Sequence, residues 1–163
     1  MVPKYNREIH HRRSIRLKEH DYSQAGAYFV TVCTQNQECL FGEVIEGEMR
    51  LNEAGKTINR WWKELNQKFK TIETDVFIVM PNHIHGMITI VGADLRVRPG
   101  RKGENRTADT KQGAHIGAPL HKIIQWFKTM TTNEYIYGIK QLNWQPFSGK
   151  LWQRNYYEHI IRQ

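Results

Sequence analysis

The chain has 163 residues, the size of one ordinary domain and enough to bury a real core without disulfides or a structural metal. Lysine and arginine outnumber aspartate and glutamate by 24 to 16 and the pI is near 9.6, which points to a polyanionic partner, nucleic acid first. Two cysteines, Cys33 and Cys39, exclude a disulfide scaffold and suit a reducing cytoplasm; with no signal-type apolar region and no run near 18 apolar residues, neither export nor a membrane partner is expected.

Residues 1–20 form a basic arm in which Lys4, Arg7, Arg12, Arg13, Arg16 and Lys18 face only Glu8 and Glu19. Such an arm binds phosphates, or is a solvated tail; Arg12, Arg13, Arg16 and Lys18 are its candidate DNA contacts. A single domain over residues 21–163 follows. From Gly26 to Gln35, Tyr28, Val30 and Val32 alternate with Phe29, Thr31 and Cys33, which predicts a strand covered on both faces. Cys39 to Ile45 and Glu48 to Leu51 flank Glu46-Gly47 and read as a hairpin. Asn52 then caps a helix whose stripe is Ala54, Ile58, Trp61, Leu65 and Phe69, with Trp61 in the core and Trp62 its partly exposed neighbour.

Two apolar strands come next, Ile72 to Met80 and Ile84 to Val91, expected side by side in the middle of a sheet. The turn between them is Pro81-Asn82, and His83 and His85 stand just after it. Strand side chains alternate with period 2, so the two imidazoles share a face and could share one divalent cation. They equally read as ordinary polar residues of a half-exposed face. Gly86 leaves room for a backbone or ligand to approach.

Residues 92–117 show no periodicity and carry six Arg or Lys, Arg96 and Arg98 among them, against three acids. This is a flexible basic insertion, either touching DNA or merely solvated. Pro119 opens a second helix with Leu120, Ile123, Ile124, Phe127 and Met130 inward. Its outer Lys122 and Lys128 face DNA or solvent. Leu151 to Ile161 reads as the last strand. The order β-α-β-β-α-β with an added hairpin is that of an α+β, ferredoxin-like or RRM-like sandwich with an antiparallel sheet and both helices on one face.

Pro81-Asn82-His83-Ile84-His85-Gly86 resembles the His-hydrophobic-His signature of the REP-associated tyrosine transposases, a branch of the single-strand tyrosine transposases. The likeness extends to Ala27–Thr34, to Cys39-Leu40-Phe41-Gly42, to Leu51-Asn52-Glu53-Ala54-Gly55, and to Leu151–Arg162 with Arg154 as a further DNA contact. It implies the ferredoxin-like fold, DNA transposition through a 5′-phosphotyrosine, single-stranded or hairpin DNA such as a REP element as partner, and Mg²⁺ or Mn²⁺ held by His83 and His85. A homodimer is compatible with it. The family's nucleophilic tyrosine lies in a Tyr-Ile-x-x-Asn-Pro segment that has no counterpart here; Tyr156 and Tyr157 match strand positions and are weak substitutes, so binding without cleavage is the expectation.

Two other readings remain open. One is a non-catalytic module that binds single-stranded nucleic acid through its sheet; Ile84, Met87 and Ile88 offer no stacking rings for it. The other is a hydrolase with a metal at His83 and His85, for which only Glu73 and Asp75 are nearby carboxylates.

Overall fold

A computed structural model describes residues 24–91 and 118–161. Arg12, Arg13, Arg16 and Lys18 of the arm, and Arg96 and Arg98 of the insertion, lie outside the described residues. The elements are β1 (Gly26–Cys33), the hairpin strands β2 (Gly42–Ile45) and β3 (Glu48–Leu51), α1 (Glu53–Lys68), β4 (Ile72–Met80), β5 (His83–Ile90), α2 (Leu120–Leu142) and β6 (Tyr157–Ile161). Four strands form an antiparallel sheet in the order β4-β5-β1-β6, and β2 and β3 form a separate two-stranded sheet. This is the α+β, ferredoxin-like arrangement the element order predicts.

Local chemistry sets the boundaries. Glu46 and Gly47 both adopt positive φ, the backbone that a tight two-residue hairpin requires. Asn52 Oδ1 accepts the Gly55 N–H at 2.9 Å and satisfies an otherwise unpaired donor of the first turn of α1. Asn143 closes α2 in the left-handed conformation.

One face of the sheet is dry. Tyr28, Val30 and Val32 of β1 and Ile84, Ile88 and Ile90 of β5 are buried together with Ala54, Ile58, Trp62 and Leu65 of α1 and Leu120, Ile123, Ile124 and Phe127 of α2. Trp62, not Trp61, is the core tryptophan: it stacks on Phe77 with centroids 4.4 Å apart and meets Phe127 edge-on. The inward stripe runs 54, 58, 62, 65, which turns Trp61 about 100° aside, where it packs on Trp126 and donates its Nε1–H to Glu134.

The other face of β1 is open, contrary to the expectation of a strand covered on both sides. Phe29 is 37% exposed and Thr31 and Cys33 are half-buried, because both helices lie on the opposite face. β4 is an edge strand rather than a central one, and a bulge between Thr74 and Phe77 interrupts its pairing with β5. The last strand is shorter than expected. Leu151 and Trp152 touch the sheet only through a bridge from Thr34 to Trp152, and the ladder resumes at Tyr157. In that interval Lys128 Nζ donates to the carbonyls of Gln153 and Asn155 at 2.9 and 3.1 Å, so these acceptors are satisfied by α2 and not by a neighbouring strand. Lys128 is thus a structural tie, not an outward cation. Among the described residues no helix is long and apolar enough to cross a membrane.

Candidate metal and nucleic-acid site

β5 begins at His83, immediately after the Pro81-Asn82 turn, and lies in the interior of the sheet between β4 and β1. Alternation puts Ile84, Gly86 and Ile88 into the core and His83, His85 and Met87 on the open face. The space beside Gly86 is taken by the core. A Cβ there would lie 2.3 Å from Cζ2 of Trp62, so the missing side chain makes room for an indole and not for a ligand.

The imidazoles converge. His83 Nε2 and His85 Nε2 are 3.1 Å apart, and both Nδ1 atoms are engaged elsewhere. Asn82 Oδ1 lies 2.7 Å from His83 Nδ1, and the Asn82 amide nitrogen donates to the Gln37 carbonyl, which fixes Oδ1 as the group facing the ring. An amide oxygen only accepts, so His83 carries its proton on Nδ1 and presents a lone pair at Nε2. Thr31 Oγ1 lies 2.8 Å from His85 Nδ1. A hydroxyl both donates and accepts, so Thr31 can hold His85 in either tautomer: with the proton on Nε2 it bridges to His83, and with the proton on Nδ1 both Nε2 lone pairs are free. Phe29 stacks on the His85 ring, centroids 5.4 Å apart, and limits its rotation. Burial, and then the neighbouring His85, pull the His83 pKa below the ordinary histidine value, which favours a neutral ligand over a cation.

This donor pair fits one divalent ion. Adjacent ligands at about 2.1 Å from an octahedral ion are themselves about 3 Å apart, and hydrogen bonds at the far nitrogens are the usual support of metal-bound histidine. Among the described residues no group of three His, Cys, Asp or Glu is placed to hold a metal, so water and phosphate oxygens would fill the remaining positions. Glu73 pairs with Thr89, four residues or about 13 Å along β5 from His85, and Asp75 is exposed beside the bulge. The carboxylate cluster of a water-activating hydrolase is absent among the described residues.

Of the remaining sequence candidates, Tyr156 is buried under Lys128, whose Nζ stands 5.6 Å from the ring centroid. Tyr157 is 57% exposed and pairs with Thr31, which also pairs with His85; Ile78, His85, Thr31 and Tyr157 therefore stand abreast on the open face. Arg154 is exposed next to Gln153, whose N–H bonds the carbonyl of Cys33, the ladder partner of His83. Lys122 is exposed on α2, in the layer behind the sheet, away from the histidines. Tyr135 is buried, donates to the Gln145 carbonyl at 2.9 Å, and has its pKa pushed up to about 12 by burial and by Glu38. Sequence reasoning missed Asn82 and Thr31 as supports; their only signals are the position before His83 and the phase of the strand shared with Cys33.

No protein-family model matches the chain. An uncharacterized protein of Haemophilus influenzae is 39% identical over 169 residues, an alignment that covers 99% of this chain and 85% of the relative. The chain belongs to the family of that protein. Among solved structures, a REP-associated tyrosine transposase bound to a REP hairpin superposes over 91% of this chain with a TM-score of 0.51 and 13% identity. A candidate transposase of Deinococcus radiodurans does so over 91% with a TM-score of 0.50 and 13% identity. The chain spans 62% of the first transposase and 88% of the second. Its family therefore has the fold of these two proteins, and the histidine pair occupies the open face of that fold.

Proposed function

We propose that this protein binds single-stranded or hairpin DNA as a tyrosine-transposase-type domain, with His83 and His85 holding one Mg²⁺ or Mn²⁺ against a phosphate. The observation that carries this reading is the convergence of two Nε2 atoms, each backed by a hydrogen bond at Nδ1, on an open and carboxylate-poor sheet face. When bound, the ion would offset charge on the phosphoryl oxygens. Asn82 and Thr31 orient the rings, Phe29 restrains His85, and Arg154 and the basic residues of the arm and insertion supply long-range attraction. A REP hairpin bound to a protein of the same fold supports the partner class.

The test is binding to a hairpin oligodeoxynucleotide across a salt series. With about five phosphates neutralised, log K against log salt should fall with a slope near −3.5, at about −0.7 per contact on single strands. A slope near zero at measurable affinity would show that the charge serves solubility only.

Binding without strand cleavage is the second part of the proposal. Among the described residues, Tyr28, Tyr135 and Tyr156 are buried, Tyr137 is on α2 behind the sheet, and the backbone of Tyr157 stands two strand spacings, about 9.5 Å, from that of His85; Tyr5 and Tyr22 lie outside the described residues. An attacking oxygen must come within about 3.5 Å of phosphorus and in line with the leaving group. Incubation with Mn²⁺ and labelled hairpin should leave no protein-DNA band after denaturation. A band that vanishes in Tyr157→Phe would make that residue the nucleophile.

A further inference from the structure

The open face carries two exposed rings beside the histidine pair, and the proposed function gives neither of them a contact with a base. Phe29 on the interior strand β1 and Tyr157 on β6 are 37% and 57% exposed, although aromatic residues of this size are normally drawn into a core. They share a face. Tyr157 pairs with Thr31 and His159 pairs with Phe29, so Phe29 and Tyr157 are diagonal neighbours, about 7 to 8 Å apart and within reach of one another. The face is also suited to a polyanion: the open-face residues of β1, β5 and β6, from Ala27 and Thr89 at one end to Cys33 and His83 at the other, include three histidines and no carboxylate, and Glu73 of the edge strand β4 stands opposite Thr89, about 13 Å along β5 from His85, in a chain of formal net charge +8.

We propose that this face is a stacking platform for the unpaired bases of single-stranded DNA, with Phe29 and Tyr157 as the rings on which successive bases lie, next to His83 and His85. The proposal rests on the DNA-binding reading above and specifies how the strand is held. Every base has a π-face, so two rings hold a single strand whatever its sequence, whereas a duplex keeps its bases stacked on one another. The stack of Phe29 on His85 joins the two halves of the site: a base on Phe29 brings its flanking phosphate to the side of the sheet where the Nε2 atoms converge.

The experiment is fluorescence anisotropy with a short, unstructured, end-labelled oligodeoxynucleotide and with its duplex. The variants are Phe29→Leu and Tyr157→Leu, and the ring-keeping Phe29→Tyr and Tyr157→Phe. Each leucine variant should weaken single-strand binding by about 5- to 100-fold, while the ring-keeping variants stay within about twofold. The salt slope should not change, because no charge is removed. Leucine variants that bind the single strand as the parent does would overturn the platform and leave the DNA-binding reading standing. No binding of hairpin or single strand by the parent would overturn both. A shallower salt slope in the leucine variants would overturn the platform too, since the lost contacts would then be ionic. Should Phe29→Leu disturb His85 or fail to fold, the Tyr157 pair decides alone, since that side chain has no described contact with either histidine.

Discussion

Calorimetric titration with Mn²⁺ is expected to show one site per chain, and the double change His83→Ala, His85→Ala to abolish it. The two nitrogens 3.1 Å apart are the whole of the donor set among the described residues, so removal of both rings leaves the ion nothing but solvent. Either single change should also reduce binding to near background, because one imidazole on an open face competes poorly with water for Mn²⁺. The supports make a graded prediction. Thr31→Val removes the partner of His85 Nδ1 while preserving shape, and should weaken Mn²⁺ binding by about 10- to 100-fold; Thr31→Ser should restore it. Equal binding by the parent and the double variant would place the cation elsewhere and remove the central support of the proposed function.

Gly86→Ala is expected to destabilise the protein by about 3 kcal/mol, at the upper end of the range for an overpacked core, and to lower Tm by about 10 °C. The new methyl would stand 2.3 Å from Cζ2 and 2.6 Å from Cη2 of Trp62, a rigid ring already stacked on Phe77 and therefore unable to swing away. Trp62→Ala alone should cost about 3 to 5 kcal/mol through the cavity it leaves. In that background Gly86→Ala should cost under about 1 kcal/mol, a coupling of about 2 kcal/mol in a double-mutant cycle. Trp62→Phe should be milder, because the indole Nε1 has no hydrogen-bond partner among the described residues and its loss removes a buried unsatisfied donor. If Gly86→Ala melted like the parent yet lost Mn²⁺ or DNA binding, the glycine would serve a ligand after all.

The order of the elements was legible in the sequence because the strands alternate, the helices repeat every three or four residues, and Asn52 and the Glu46-Gly47 turn punctuate them. The shared face of His83 and His85 followed from alternation alone. What alternation does not reveal is which neighbour lies beside each strand. The partnership of Thr31 with His85 depends on the register between β1 and β5, fifty-four residues apart in the chain, and no local pattern encodes it. The same blindness made β1 look covered on both sides: Phe29, Thr31 and Cys33 are apolar enough for a core, and only the placement of both helices on the other face exposes them. Trp61 and Trp62 were separable only by the exact phase of α1. The start of the last strand was hidden because the carbonyls of Gln153 and Asn155 bond Lys128 of α2, a contact that no local pattern encodes.

The bulge in β4 has a consequence for the company this protein keeps. An edge strand nine residues long that displays Val76 and Ile78 would ordinarily invite another chain to extend the sheet, the first step of aggregation. The break between Thr74 and Phe77 interrupts the regular spacing of donors and acceptors that an added strand would need to match. That rim is thus a poor template for another strand, and an assembly that leaves it bare keeps the broad open face available for a ligand.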